Sequence, residues 1–224
     1  MLVFGRRMVE ITKESGFECP APEGGRGQET RARIIAAAIE AFSTDGFEGA
    51  STRQIGSLAS ENQGLIAYHF GSKENLWKAA VDALFGGFRQ ELESRRAVLA
   101  DADPRTRLRL LIYYFVRYSA EHPEQMRLMV QEGKADSPRM EWLVDRHIRP
   151  LYEIYGELIE DAQRAEALPN VPLVHLFYIL LGATSLIFTH APECQRLTGQ
   201  NPTEEPMITA HAEAICRLLL RDRD

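Results

Sequence analysis

Residues 51–76 read STRQIGSLASENQGLIAYHFGSKENL, and this run decides the fold. It spells two short helices joined by a tight turn and followed by a third. Ser51 or Thr52 can cap the first helix by accepting a bond from an amide of its opening turn. Ile55, Leu58 and Ala59 then recur at the three-and-four spacing that makes one apolar face, and the helix ends by Ser60. The stretch from Ser60 to Gly64 is polar and ends in glycine, which suits a sharp reversal, with Asn62 as the next cap. In the second helix Leu65, Ile66 and Phe70 can pack inward while Gln63, Gly64, Ala67, Tyr68 and His69 face outward. Gly71 breaks that helix, and Ser72 caps a longer one starting near Lys73.

Such a layout is a device for reading DNA. An α-helix fits the major groove and offers its first residues to base edges, while neighbouring groups grip phosphates and set the register. Gln63 can bond a base edge, and Gly64 lets the backbone come close to the duplex. Thr52, Tyr68, His69 and Lys73 carry donors suited to phosphate oxygens. With Arg31, Arg53 and Leu65 they make up the candidate DNA-contacting set.

The residues also match a family. The block from about Arg31 to Ala80 resembles the TetR family of transcriptional regulators, most specifically in Tyr68-His69-Phe70-Gly71-Ser72-Lys73-Glu74-Asn75-Leu76. The order of the preceding parts agrees: Ala41-Phe42, then Gly46-Phe47, then Ser51-Thr52 with Ile55 and Ala59. So compound a signature, nearly fifty residues long, is far more specific than a bare helix-turn-helix. The chain departs from the family at Ser60 and Glu61, where glycine and a branched apolar residue are usual, and at Ala67, where an aromatic is common. Glu61 adds a negative charge close to the expected phosphate surface.

Charge alone points less clearly to DNA. The chain carries 26 Lys and Arg against 32 Asp and Glu, a net −6, and residues 26–78 hold six of each sign. Phosphate contacts supply much of a DNA binder's affinity. Folding must therefore sort Arg26, Arg31, Arg53 and Lys73 onto one side, away from Glu40, Asp45 and Glu48.

The remaining composition fits an intracellular regulator. With 224 residues and 45% hydrophobic content the chain can bury a sizeable core. Cys19, Cys194 and Cys216 are too scattered for a disulfide framework or a metal cluster, which suits a reducing cytoplasm. Residues 1–25, with Pro20, Pro22, Gly24 and Gly25, read as a flexible arm without a signal-peptide pattern. The expected division is that arm, a DNA-binding domain over 26–75, and an effector-binding and dimerisation domain over 76–224.

The fold class is all-α, an N-terminal three-helix domain plus a larger C-terminal helical bundle, with about nine helices in total. The first helix spans Gln28 to Thr44, with Ile34, Ile35, Ala38, Ile39 and Phe42 as its buried stripe and Gly46 as its stop. Lys73 to about Ala100 reads as one long helix. Gly86-Gly87 in its middle marks close packing or, as a second reading, a flex point. Beyond Pro104 the expected helices are 104–121, 123–134, 138–166, 172–190 and 204–221, with a break across Pro192 to Pro206.

Leu168 to Pro192 contains no charged residue, yet His175, Thr184, Ser185 and His190 interrupt it and no basic cluster flanks it. It therefore reads as a helix buried in protein, not as a membrane span. Its small residues Gly182, Ala183 and Ser185 let a second helix approach closely. With the last helix it can build a four-helix interface between two copies, made by Leu181, Gly182, Ser185, Ile208, Ala212 and Ile215. The family resemblance implies the same, since its last two long helices dimerise. A two-fold dimer would place reading helices roughly 34 Å apart and call for a palindromic operator.

The region from Leu110 to Phe188 is rich in aromatics and methionines, which suit an adaptable apolar pocket. An ordinary core is the alternative reading for any single residue. The resemblance implies a pocket for a small, largely apolar effector, with Tyr118, Met129, Trp142, Tyr155 and Phe177 as lining candidates. An effector preferring the conformation with wrongly spaced reading helices would release the operator, so a repressor is the default. Two other classes are compatible with an all-helical chain: a helical protein-interaction module without ligand control, and a small helical enzyme. No phosphate loop, nucleophile motif or paired-carboxylate signature supports an enzyme. His190 and Cys194 lack a third ligand nearby, so no metal or other cofactor is expected.

Overall fold

The computed structural model describes residues 25–221. The expected arm and Cys19 therefore lie outside the described residues, apart from Gly25. Within them the chain is all-helical, with eleven α-helices. By their contacts, the described residues up to Gln90 form one compact unit and the described residues from Glu91 a second.

The first unit is built on α1 (Gly25–Gly49), α2 (Thr52–Ala59), α3 (Gln63–Phe70) and the first part of α4 (Lys73–Val98). Gly46 interrupts the end of α1 at φ 71°, a left-handed value that glycine adopts without strain, so the expected stop is present. The following turn brings Phe47 back against Phe42, ring centres 5.9 Å apart, and edge-on to Trp77 at 6.4 Å. Trp77 is fully buried, together with Ile34, Ala38, Ile55 and Leu76. The stripe read from the sequence fills this core except at Ile39, which is only half-buried. Leu58, assigned above to the apolar face of α2, is instead 47% exposed. A two-turn helix is fully held by Ile55 and Ala59, and the three-residue step to Leu58 carries it past the edge of that face.

In the second unit α5 (Pro104–Glu121) packs against α8 (Arg149–Arg164), α9 (Leu173–Thr189) and α11 (Glu205–Leu219). Between them come α6 (Pro123–Glu132), α7 (Pro138–Leu143) and, after α9, α10 (Ala191–Thr198). Asp103 caps α5 by accepting from the Thr106 amide at 3.2 Å, with Pro104 in the first turn where no donor is needed. The expected single helix over 138–166 is divided by a π-helical turn at Val144–Ile148. Its cause is Pro150: proline lacks an N–H and its ring clashes with the carbonyl four residues back, so the backbone widens there. Pro192 also acts differently from expectation. It sits in the first turn of α10 and starts a helix inside the region read as a break. These two prolines account for eleven helices in place of about nine.

Within α9, Thr184 donates to the Leu180 carbonyl at 2.7 Å and Ser185 to Leu181 at 2.6 Å, which satisfies both hydroxyls inside an apolar helix. His211 of α11 bonds the Ala183 carbonyl at 2.7 Å and packs edge-on to Phe188. No single helix among the described residues is long and apolar enough to cross a membrane, and α9 and α10 together bend by 72°.

A candidate DNA-reading surface and a bundle of buried tyrosines

The α2–α3 unit is fixed by caps. Ser51 accepts from the Gln54 amide at 3.1 Å and Gln54 reaches back to the Ser51 amide, a reciprocal capping box. Ser60 closes α2 in a left-handed conformation, φ 55°, and Asn62 opens α3 by accepting from the Leu65 amide at 3.1 Å. Ser72 caps α4 through the Asn75 amide at 3.1 Å. The caps at Asn62 and Ser72 follow the sequence reading, which left Ser51 and Thr52 open for α2; the return bond from Gln54 and the left-handed Ser60 are additions. Gly56 was missed there: a Cβ at this position would stand 2.9 Å from the Glu61 carbonyl oxygen. Only glycine lets α2 lie so close under the turn. An isolated glycine inside a helical pattern was the available signal.

Gln63, Gly64, Ala67 and Tyr68 are exposed on α3, Tyr68 to 70%. Gln63 donates to the Thr52 hydroxyl at 2.9 Å, so the starts of the two helices meet on one surface. Arg53 is exposed, and Leu65 is half-buried, between its two assigned roles. Lys73 places its ammonium 4.5 Å from the centre of the Phe47 ring, and the Arg31 guanidinium lies 5.2 Å from that of Phe70.

His69 departs from the reading. It is buried, 6% exposed, and does not face outward with Tyr68. Burial lowers its pKa below the ordinary 6.5, the nearby Arg31 charge lowers it further, and Glu61 opposes them. In an eight-residue helix Phe70 and Ile66 take the core, and the ring of His69, adjoining Phe70, follows them inward. His69 therefore does not belong to the exposed contact set. Glu61 also differs from expectation: its carboxylate is held by Arg33 and Thr30 of α1, so its charge is compensated.

In the second unit two groups of rings form. Tyr155 meets Phe115 at 5.8 Å and Phe177 at 6.0 Å, and Phe177 meets Tyr152 at 4.9 Å. Tyr118 packs with Tyr114 at 6.0 Å and with His122 at 4.5 Å, and its hydroxyl donates to Gln125 at 2.9 Å. Burial pushes the Tyr114, Tyr118 and Tyr155 hydroxyls up, so all three stay protonated at any physiological pH. The Tyr155 hydroxyl is buried and has no hydrogen-bond partner among the described residues. Met129 is half-buried on α6. Trp142 lines a separate shallow groove on α7 and the π-helical turn, with Pro138, Glu141, Asp145 and Arg146.

The expected interface residues divide. Gly182 is exposed, and a Cβ there would meet nothing within 4 Å. Leu181 is half-buried, but Ser185, Ile208, Ala212 and Ile215 are buried within this chain, so they form its own core and not its outer face. The stripe of α11 was identified correctly and aimed the wrong way, because an apolar stripe alone does not say which partner covers it. The apolar residues left outside are Val174, Tyr178, Ile179 and Leu186 on α9 and Leu218 on α11. At Gly86 and Gly87 an added Cβ would likewise meet nothing within 4 Å, so close packing among the described residues is not their reason.

These features define a helix-turn-helix regulator with a helical second unit. Residues 34–80 match the family model described as bacterial regulatory proteins, tetR family, and residues 104–219 match the tetracyclin repressor-like C-terminal domain. The chain belongs to the TetR family and is a DNA-binding transcriptional regulator. It is 37% identical over 113 residues to the HTH-type transcriptional repressor NicS of Pseudomonas putida, a match spanning 49% of this chain and 52% of that one. It is 25% identical to the probable HTH-type transcriptional regulator YttP of Bacillus subtilis, over 83% of this chain and 90% of YttP. The fold is shared with AibR, solved in complex with isovaleryl coenzyme A and operator DNA. That similarity has a TM-score of 0.68 at 17% identity, over 85% of this chain and 97% of AibR.

Proposed function

We propose that this regulator is a cytoplasmic repressor that binds a palindromic operator as a homodimer and leaves it when a small effector occupies the second unit. Residues 26–75 read DNA, and 76–224 bind the effector and dimerise. The observation that carries the reading is the capped α2–α3 unit with Gln63, Gly64 and Tyr68 exposed on one surface. Thr52, Arg53, Lys73 and Arg31 supply donors around it, suited to backbone phosphates.

The exposed apolar line Val174, Tyr178, Ile179 and Leu186, with Gly182 among them, supports dimerisation through α9. Leu218 on α11 is a further exposed apolar residue. For the effector, the support is the tyrosine-rich core. An unpartnered buried hydroxyl is costly, about 1–3 kcal/mol, and Tyr155 carries one. A largely apolar molecule with one polar group would satisfy it. Tyr155, Phe177, Tyr118 and Met129 remain the proposed lining, whereas Trp142 belongs to the outer groove. That AibR is held with both an acyl-coenzyme A and operator DNA supports control of one fold by two ligands.

The test is fluorescence anisotropy of the purified protein with duplexes taken from upstream of its own gene and with random controls. Salt-sensitive binding to one palindromic duplex, lost on adding a molecule that native mass spectrometry finds co-purified, is the expected result. Failure of the effector-free protein to bind any of these duplexes contradicts the repressor reading.

A further inference from the structure

Glu61 lies in the α2–α3 turn, one residue before the cap Asn62 and two before Gln63, the first residue of α3. Its side chain is only 13% exposed and is held by α1: Arg33 makes an ion pair with Oε1, and the Thr30 hydroxyl donates to the same oxygen at 3.3 Å. Arg33 also donates to Thr30 at 3.0 Å, which closes a three-membered network. Yet the Arg33 side chain is 51% exposed. The arrangement is thus a half-exposed guanidinium tied to a carboxylate, beside the end of α3 that would enter a groove.

A carboxylate and a phosphodiester offer a guanidinium the same thing, a negatively charged pair of acceptor oxygens. The Arg33 end of the pair is open to water while Glu61 is largely enclosed, so it is the guanidinium that can turn to an acceptor outside. Residues 26–78 hold six charges of each sign, so one arginine more or less at this surface matters. We propose that Glu61 is an internal phosphate mimic that competes with the DNA backbone for Arg33. The competition weakens DNA binding and makes it less dependent on salt than in the same chain without this carboxylate. The inference rests on the α2–α3 unit being the DNA-reading surface.

Phosphate contacts are independent of sequence, so a labelled random duplex of about 30 base pairs is a sufficient probe. Glu61→Gln keeps an oxygen for Thr30 and Arg33 but removes the charge. It should bind more tightly than the parent protein and steepen the slope of log K against log[KCl] by about 0.9 for each protomer bound. Its advantage should therefore shrink about threefold per protomer between roughly 50 and 200 mM KCl. Adding Arg33→Ala should abolish the gain. Glu61→Ala, read the same way, covers the case in which the glutamine variant does not fold. Folded Glu61 variants with unchanged or weaker affinity and an unchanged slope overturn the proposal, as does a gain that survives Arg33→Ala. A parent protein that fails to bind the duplex at the lower salt contradicts the DNA-facing assignment itself, a separate failure.

Discussion

The α2–α3 unit and the α9–α11 pair are both short of charge, but they are held in opposite ways. In α2–α3 the backbone ends are fixed by Ser51, Gln54, Asn62 and Ser72, each bonded to an amide within its own turn. In α9–α11 the shape comes from burial: Leu176, Leu180, Phe188, Ile208, Ala212 and Ile215 are all inside. Caps are local, and a sequence declares them residue by residue. Burial depends on what stands opposite, and a helix as apolar as α9 has candidates on every side. Thus four of the five residues that the sequence turns outward on α3 are exposed, whereas four of the six that it assigns to the α9–α11 interface are buried.

The strongest contrast between the two faces of the second region comes from a pair of substitutions. Ile208→Ala removes a core side chain and should cost about 2–5 kcal/mol in urea unfolding. Gly182→Trp enters open space in the single chain, so its own stability should change by less than about 0.5 kcal/mol. It should nevertheless reduce the sedimenting mass to that of a monomer. A dimer that survives Gly182→Trp removes α9 from the interface. Dissociation by Ile208→Ala without loss of stability restores the original assignment of that stripe.

A smaller effect isolates the first region's dependence on local bonds. Asn62→Ala leaves the Leu65 amide without its cap and should lower stability by about 1 kcal/mol. DNA binding should fall with it, because Gln63 begins the helix that the cap orients. A variant with full stability and affinity would show that the turn is held by packing, as α9 is.

The mildest effect concerns His69 and pH. Its pKa is lowered in the folded protein, so the unfolded chain takes up the proton first as the pH falls through about 6.5. Stability is fully present above that value and declines as the pH drops toward the folded pKa. His69→Gln should flatten this decline in urea midpoints compared at pH 7.5 and 5.5. An equal decline in both proteins would place the acid sensitivity elsewhere.

Most of the fold was legible because turn chemistry and apolar spacing agreed over residues 31–80, the block that also carried the family resemblance. The long helices of the second unit were read with nearly correct ends. What escaped was decided by contacts. Leu58 and His69 lie at the edges of two-turn helices, where one step along the helix changes inside to outside. Pro150 and Pro192 are compatible with a helix when the backbone widens or begins there, a choice that their neighbours make. The charge of Glu61 could be read, but Arg33 and Thr30 stand some thirty residues away in the chain and only the fold brings them to it. The Tyr155 hydroxyl could not be separated from other aromatic core groups until its lack of a partner was visible.

If the exposed surface of α3 grips DNA, Tyr68 is the residue whose loss should show it, since it is 70% exposed and its removal leaves no cavity. Fluorescence anisotropy should show Tyr68→Ala binding an upstream-derived duplex about tenfold more weakly than the parent, the worth of one hydrogen bond to a charged group, roughly 1.5 kcal/mol. Its sedimenting mass and melting temperature should match the parent's. Undiminished affinity in a folded Tyr68→Ala protein would mean that this surface of α3 does not hold DNA.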